Sequence, residues 1–169
     1  MFDGSHFIMN KYSENFKFLT HYKMISIKDI DEKDIDLCYE LDSRTISLWS
    51  RRQWANELKK EDIKIFGIFH SNLVIGICAY NVIIDEAQIN FFAVNQKYRE
   101  KGYGSYLMSY LIKECEKSNI NRILLEVSHT NIVAEKFYSR FDFFTVGIRR
   151  NYYKDGSDAL LKEKKLASK

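Results

Sequence analysis

Apolar positions in the first part of the chain follow a helical period. In residues 31–41 the apolar side chains recur at Ile35, Cys38 and Leu41, and in residues 51–60 Trp54 lies four positions before Leu58. Apolar residues spaced three or four apart line one face of a helix, so the pattern predicts two amphipathic helices. A short strand is predicted ahead of them at residues 23–28.

The pattern then becomes strand-like. Three runs rich in branched and aromatic residues follow one another, separated by the polar turns His70-Ser71-Asn72 and Asp85-Glu86. Such runs, bounded by turn residues, are typical of strands joined by tight connections. We therefore predict an antiparallel meander of three strands, at residues 63–69, 73–83 and 87–94.

Helical and strand patterns alternate in the second half of the chain. The predicted order is helix, strand, helix and a closing pair of strands, at residues 104–117, 120–128, 131–141, 143–151 and 159–165. A meander followed by such a crossover predicts one α/β domain with a mixed, largely antiparallel central sheet flanked by helices. Residues 1–22 show no clear period, so we interpret them as an N-terminal extension to a domain at residues 23–169.

Composition excludes several classes of protein. The chain has 169 residues, with 26 basic and 23 acidic side chains, which is too balanced to indicate nucleic-acid binding. No apolar run approaches the roughly 20 residues of a membrane-spanning helix, so no membrane association is expected. The three cysteines have no paired spacing, which favours a reducing, cytoplasmic location. The four histidines lack the spacing of metal ligands, and no metal is expected.

One loop carries a pattern that suits an anion. Gly102 and Gly104 lie where the third meander strand gives way to a helix, and Arg99 and Lys101 add positive charge. The first N–H groups of a helix are unpaired and attract phosphate, and glycine lets the backbone approach it closely. The alternative is an ordinary loop and cap. No Gly-Lys-Ser/Thr follows, so the loop is not a P-loop, and the full dinucleotide fingerprint is missing.

This loop and the next helix together resemble a known cofactor motif. Arg99-x-x-Gly102-x-Gly104 is similar to the acetyl-CoA motif of the GNAT superfamily of N-acetyltransferases, and Asn131 followed by Tyr138 matches its second marker. Within that superfamily the chain resembles the ribosomal-protein-alanine N-acetyltransferases. The closer likeness lies in residues 48–50, 85–87, 125–127 and 148–153, with 158–159. The resemblance spans residues 23–165 and implies a GNAT-like fold.

The sequence departs from that family at identifiable places. Leu48 stands where the family usually has proline, and Asp142 stands where it usually has glycine. Glycine there serves a left-handed helix cap, a conformation that aspartate tolerates moderately well, so we expect the fold to be kept. Residues 1–22 match no part of the family.

Three residues are candidates for the chemistry. Glu126 interrupts an apolar strand, and a carboxylate in apolar surroundings is a stronger base; the alternative is an edge-strand glutamate in solvent. The resemblance implies that Glu126 is the general base and Tyr138 the acid for the thiolate, although Tyr138 also reads as a core aromatic. Asn131 suits a helix N-cap, and the resemblance adds a hydrogen bond to coenzyme A.

The resemblance also implies contacts with both substrates. Backbone groups at the end of the third meander strand would pair with the pantetheine arm. The implied acetyl-CoA contacts are Phe92, Ala93, Val94, Arg99, Glu100, Lys101, Gly102, Tyr103, Gly104, Ser105, Asn131 and Tyr138. The implied acceptor contacts are Trp49, Arg149, Asn151 and Tyr152. From composition alone, the aromatic hairpin is equally well explained by ordinary cross-strand pairs.

The resemblance thus implies an acetyl-CoA-dependent N-α-acetyltransferase acting on a protein N-terminus by direct transfer in a ternary complex. The implied acceptor is the N-terminal alanine of the eighteenth small-subunit ribosomal protein, and association with another cytosolic enzyme is also expected. Two alternatives stay open at this point. One is a small-molecule amine acetyltransferase, and the other is a non-catalytic acyl-CoA-binding subunit.

Overall fold

A computed structural model describes residues 25–167 of the chain, so the predicted extension at residues 1–22 lies outside the described residues. The described strands are β1 (Ile25–Asp29), β2 (Ile63–His70), β3 (Leu73–Ile83), β4 (Glu86–Val94), β5 (Arg122–Ser128), β6 (Phe144–Arg149) and β7 (Ala159–Lys165). The described helices are α1 (Ile35–Ser43), α2 (Arg51–Glu57), α3 (Tyr103–Lys117) and α4 (Ile132–Ser139). Each of them coincides with a predicted element, with shifts of a few residues at the ends.

The strands form one seven-stranded sheet in the order β1-β2-β3-β4-β5-β7-β6. β2, β3 and β4 make the predicted antiparallel meander. β4 and β5 pair in parallel across the connection through α3, whereas β5 with β7 and β6 with β7 pair antiparallel. The prediction of a mixed, largely antiparallel sheet flanked by helices is confirmed.

Local chemistry explains where the helices begin and end. Asp31 caps a short 3₁₀ turn at Glu32–Asp34, so α1 begins later than predicted, at Ile35. After α4, Asp142 adopts a left-handed conformation with φ of 59°, and the N–H of Phe143 donates to the Tyr138 carbonyl at 3.2 Å. Aspartate therefore fills the glycine position as expected.

Helices cover both faces of the sheet, and two apolar cores result. On one face α3 and α4 pack on the sheet around Ile68, Leu107, Met108, Leu111 and Ile123. On the other face α1 and α2 bury Cys38, Leu41, Trp54, Ile77 and Phe91. Residues of β2, β3 and β4 contribute to both cores, because successive strand side chains point to opposite faces. Helices on both sides of the sheet therefore pack against β2, β3 and β4.

The three cysteines are core residues. Cys38, Cys78 and Cys115 are free and buried. Burial raises the pKa of the Cys38 thiol, and that of Cys115, to about 12. Because only a thiolate is strongly nucleophilic, these protonated thiols are poor nucleophiles.

A buried carboxylate fixes the loop between α1 and α2. Asp42 is fully buried, and its oxygens accept hydrogen bonds from the backbone N–H groups of Leu48 and Trp49, both at 2.8 Å. The indole N–H of Trp54 donates to the same carboxylate at 3.0 Å. A buried charge is tolerated only when it is well hydrogen-bonded, and these three donors meet that need. Asp42 thereby holds Trp49 against the sheet.

We expect Asp42→Ala to lower the free energy of unfolding by about 3 kcal/mol, because two backbone N–H groups and one indole N–H would lose their acceptor inside the protein. Urea denaturation of the wild type and the variant measures this loss. Asp36→Ala removes an exposed carboxylate from the same helix and is the matched control, with little expected change. Equal stability of the two variants would contradict the structural role of Asp42.

Candidate active site

The sheet opens between β4 and β5. Their parallel pairing runs from Glu86 with Arg122 to Ile89 with Leu125 and then stops. The ladder between β3 and β4 shifts register at the same height, leaving Asn90 as an extra residue on β4. Such a bulge bends a strand and increases its twist, which carries the end of β4 away from β5. A cleft results between the last residues of the two strands.

Backbone groups of β4 face this cleft. The N–H of Asn95 donates to the Ile75 carbonyl at 2.8 Å, which fixes the alternation of the ladder with β3. Polar groups of an antiparallel strand point alternately to either side, so the N–H groups of Val94 and Phe92 point away from β3 and into the cleft. Ala93, between them, pairs towards β3. An extended ligand chain can therefore pair with this edge like an added strand.

The start of α3 lies at the end of β4, beyond the short turn of residues 96–98. Gly102 precedes the helix with φ of 83°, a left-handed conformation, and an added Cβ there would meet nothing within 4 Å. Gly104 differs, because its Cβ would make ordinary contacts with Phe137 at 3.5 Å and Val94 at 3.7 Å. The N–H groups of Gly104 and Ser105, in the first turn of α3, have no helical carbonyl to bond.

The loop side chains are arranged differently from the simple expectation of cations around an anion. Arg99 turns back, and its Nε donates to the Val94 carbonyl at 3.1 Å. Lys101 is exposed, donates to the Lys97 carbonyl at 3.0 Å and lies over the Tyr98 ring. Glu100 adopts a left-handed conformation with φ of 60°. Backbone N–H groups, rather than an inward-facing Arg99, are thus the main anion-binding feature of the described loop.

Glu126 is the first residue of β5 beyond the part of the strand that pairs with β4. Ile123, Leu125 and Val127 face the core under α3 and α4, so Glu126 faces the opposite side of the sheet. Arg149 contacts it, with 2.8 Å between Nη1 and Oε1, and the Tyr152 hydroxyl hydrogen-bonds to the carboxylate. The alternative of an edge-strand glutamate in solvent is wrong, since β5 lies between β4 and β7. The expectation of purely apolar surroundings is also wrong, because a cation and a phenol contact this carboxylate.

Tyr138 approaches from the other face of the sheet. It is buried among aromatic rings, with its ring centre 6.4 Å from that of Phe92 and 5.7 Å from that of Phe143. Burial raises the pKa of the Tyr138 phenol, so the hydroxyl keeps its proton throughout the neutral range. Asn131 caps α4 by accepting a hydrogen bond from the Ala134 N–H at 3.1 Å, which confirms the predicted N-cap.

Different contacts place the four predicted acceptor residues. Arg149 and Tyr152 gather at Glu126, with 5.5 Å between the guanidinium and the Tyr152 ring centre. Trp49 is half-buried, packing edge-on against Trp54 at 4.8 Å between ring centres. Asn151 is a left-handed turn residue with φ of 52°, and its N–H donates to Asp158 Oδ1 at 2.8 Å. Acceptor binding by Trp49 and Asn151 stays a prediction.

The comparisons agree with this geometry. The family model described as "Acetyltransferase (GNAT) family" matches residues 30–143, which is more than half of the chain. The chain belongs to this family. It is an N-acetyltransferase, and enzymes of this family use acetyl-CoA.

Relatives of this GNAT acetyltransferase include ribosomal protein bS18-alanine N-acetyltransferase of Escherichia coli (strain K12), 28% identical over 131 residues, covering 77% of this chain and 88% of the relative. A crystal structure of the ribosomal-protein-S18-alanine N-acetyltransferase from Escherichia coli matches with a TM-score of 0.81 and 28% identity, covering 86% of this chain and 96% of that one. A crystal structure of Ard1 from Thermoplasma volcanium matches with a TM-score of 0.78 and 25% identity, and the match covers 86% of this chain and 99% of that one.

Sequence reasoning left Tyr153 out of the candidate site residues of this GNAT acetyltransferase. Burial first, and then the charge of Glu126, raise the pKa of the Tyr153 phenol, and Tyr153 in turn contributes to the raised pKa of Tyr138. Tyr153 thus lies near both Glu126 and Tyr138. The sequence shows Tyr152 and Tyr153 side by side. In the structure their rings meet edge-on, with 5.2 Å between ring centres.

Within residues 25–167 no group of three or more His, Cys, Asp and Glu side chains is placed to hold a metal ion. Within the same range no helix has the length and apolar character needed to cross a membrane.

We expect Gly102→Ala to raise the KM for acetyl-CoA, because the new Cβ projects beside the helix N-terminus and strains a left-handed residue by about 1–2 kcal/mol. Steady-state kinetics with varied acetyl-CoA measures the change. Gly104→Ala is the matched comparison, and its effect should be smaller since its Cβ fits in ordinary contact. A larger effect at Gly104 than at Gly102 would contradict this interpretation of the loop.

Proposed function

We propose that this enzyme transfers the acetyl group of acetyl-CoA to the α-amino group of a protein N-terminus, in a ternary complex and without a covalent enzyme intermediate. The observation that carries the proposal is the position of Glu126. Glu126 follows the part of β5 that pairs with β4, so its carboxylate lies beside the cleft, and it contacts Arg149 of the β6–β7 hairpin. A base at that place stands between the expected thioester site and the expected acceptor site.

Coenzyme A has a binding path along the cleft in this proposal. The pyrophosphate sits at the N-terminus of α3, next to Gly102, where the N–H groups of Gly104 and Ser105 face it. The pantetheine arm pairs with the cleft-facing N–H groups of Phe92 and Val94. This path directs the thioester towards the region between Glu126 and Tyr138. An N–H group of β4 then donates to the carbonyl oxygen as negative charge develops on it.

The chemistry needs two proton transfers, and the two candidate residues suit them. The acceptor amine loses a proton to Glu126, directly or through water, and its nitrogen lone pair attacks the thioester carbon. The tetrahedral intermediate collapses by breaking the carbon–sulfur bond, and the Tyr138 hydroxyl donates its proton to the leaving thiolate. The Tyr138 phenol carries its proton before that transfer, and burial, which raises its pKa, makes it a weaker acid than an exposed tyrosine.

The relatives indicate which acceptor to test first. The Escherichia coli relatives carry the name of an alanine N-acetyltransferase of ribosomal protein bS18, and one structural match is an Ard1. We therefore propose the N-terminal alanine of bS18 as the acceptor and the cytoplasm as the place of action, in keeping with three free thiols. Association with another cytosolic enzyme remains a prediction from the family resemblance.

The decisive experiment is acetylation of a synthetic peptide with the N-terminal sequence of bS18. We expect turnover with a free N-terminal alanine and none when that amine is blocked. Glu126→Gln should lower kcat by roughly 10²- to 10⁴-fold, because the amide cannot accept the proton. Glu116→Gln changes an exposed glutamate on α3 and serves as the control. Absence of turnover on free N-terminal peptides, with turnover on polyamines or other small amines, would replace the proposal by a small-molecule acetyltransferase.

We expect Tyr138→Phe to lower kcat while leaving the KM for acetyl-CoA nearly unchanged, because the ring packing is kept and only the proton donor is lost. Because the pKa of Tyr138 is raised, the wild-type enzyme should lose activity through deprotonation of this phenol only at a higher pH than an ordinary tyrosine would require. Kinetics at pH 7 and pH 9 measure both effects. Tyr80→Phe removes a hydroxyl from another buried tyrosine as the control. Full activity of Tyr138→Phe would exclude it as the acid.

A further inference from the structure

Three side chains form a closed cluster at the candidate base. Glu126 forms an ion pair with Arg149, with 2.8 Å between Oε1 and Nη1, and the Tyr152 hydroxyl hydrogen-bonds to the same carboxylate. Arg149 in turn lies over the Tyr152 ring, 5.5 Å from its centre. We call Glu126, Arg149 and Tyr152 the Glu126 cluster. Two protein donors therefore already engage the carboxylate that the proposed function assigns to the acceptor amine.

The members of the Glu126 cluster differ in their exposure to solvent. The Glu126 side chain is 20% exposed, whereas that of Arg149 is 54% exposed, and Tyr152 is 49% exposed. Glu126 is held in the middle of the sheet, between β4 and β7. Arg149 is the last residue of β6, the strand at the edge of the sheet, and a turn follows it. The carboxylate is therefore fixed, while the arginine has room to leave it.

An acceptor amine and Arg149 need the same oxygen atoms. At neutral pH an α-amino group is largely or partly an ammonium ion, and the oxygen of a base must come within about 2.6–3.2 Å of the nitrogen whose proton it removes. The guanidinium already lies at that distance from Oε1. Two cations drawn to one mostly enclosed carboxylate compete for it, and each repels the other.

We propose that Arg149 is a specificity-determining residue that competes with the acceptor's ammonium group for Glu126. This inference rests on the proposed function, because it takes Glu126 as the base. In the empty acceptor site the guanidinium neutralises the carboxylate. On binding, the ammonium replaces it, and Arg149 moves out into solvent, where a partly exposed ion pair is weak and easily exchanged. An acceptor without a cationic amine cannot make this exchange and is disfavoured.

The experiment compares Arg149→Gln with the wild type at saturating acetyl-CoA. We expect the KM for the bS18 peptide to fall roughly threefold to tenfold, because the fraction of enzyme with a free carboxylate rises. The KM for acetyl-CoA should stay the same. Titration of the peptide into the enzyme–coenzyme A complex should show the same gain in affinity without turnover. Arg149→Lys restores a cation and should return the KM towards the wild-type value.

Lys154→Gln is the matched control, since it removes one exposed positive charge from the same β6–β7 turn. A KM that rises in Arg149→Gln and not in Lys154→Gln would show that the guanidinium binds the acceptor, and would overturn the inference. Equal changes in both variants would reduce it to a general charge effect and also overturn it. If the wild type fails to acetylate any N-terminal peptide, the proposed function fails instead, which is a separate result.

Discussion

The end of pairing between β4 and β5 is the constraint on which the site depends. The two strands share a ladder only as far as Ile89 and Leu125, and the extra residue Asn90 bends β4 at that height. Had the ladder continued, the N–H groups of Phe92 and Val94 would bond to β5, and no ligand could pair with them. The opening thus leaves polar backbone groups on β4 unused by the sheet, inside an otherwise closely packed domain.

The chain brings several candidate groups to this opening by continuing past a strand end. α3 follows β4, so its N-terminus lies at one end of the cleft, and α4 follows β5, so Tyr138 lies beside it. Glu126 and Tyr138 reach the cleft from opposite faces, because alternate strand residues face opposite layers. A base and an acid on opposite sides suit a reaction in which one proton leaves the amine and another reaches the sulfur.

Much of the fold could be predicted from the sequence, because each element has a clear period and distinct turn residues. The Asp142 cap was also predictable from local conformation. Asp42 was not, since its three donors come from a loop and a helix beyond its own helix. The Arg149 contact with Glu126 was missed for the same reason. It depends on strand register, with Arg149 opposite Ala159 and Glu126 opposite Leu161, which no local pattern specifies.

The two ends of the cleft therefore differ in the groups that they present to a ligand. The glycine loop and β4 present mainly backbone groups, which any sequence with this geometry can offer, so they identify a cofactor class and nothing about the acceptor. The β6–β7 hairpin presents the charged and aromatic side chains of Arg149 and Tyr152. Because these side chains contact Glu126, the proposed mechanism couples acceptor choice to proton transfer at this residue. A change in the hairpin then alters acceptor affinity without touching the coenzyme site.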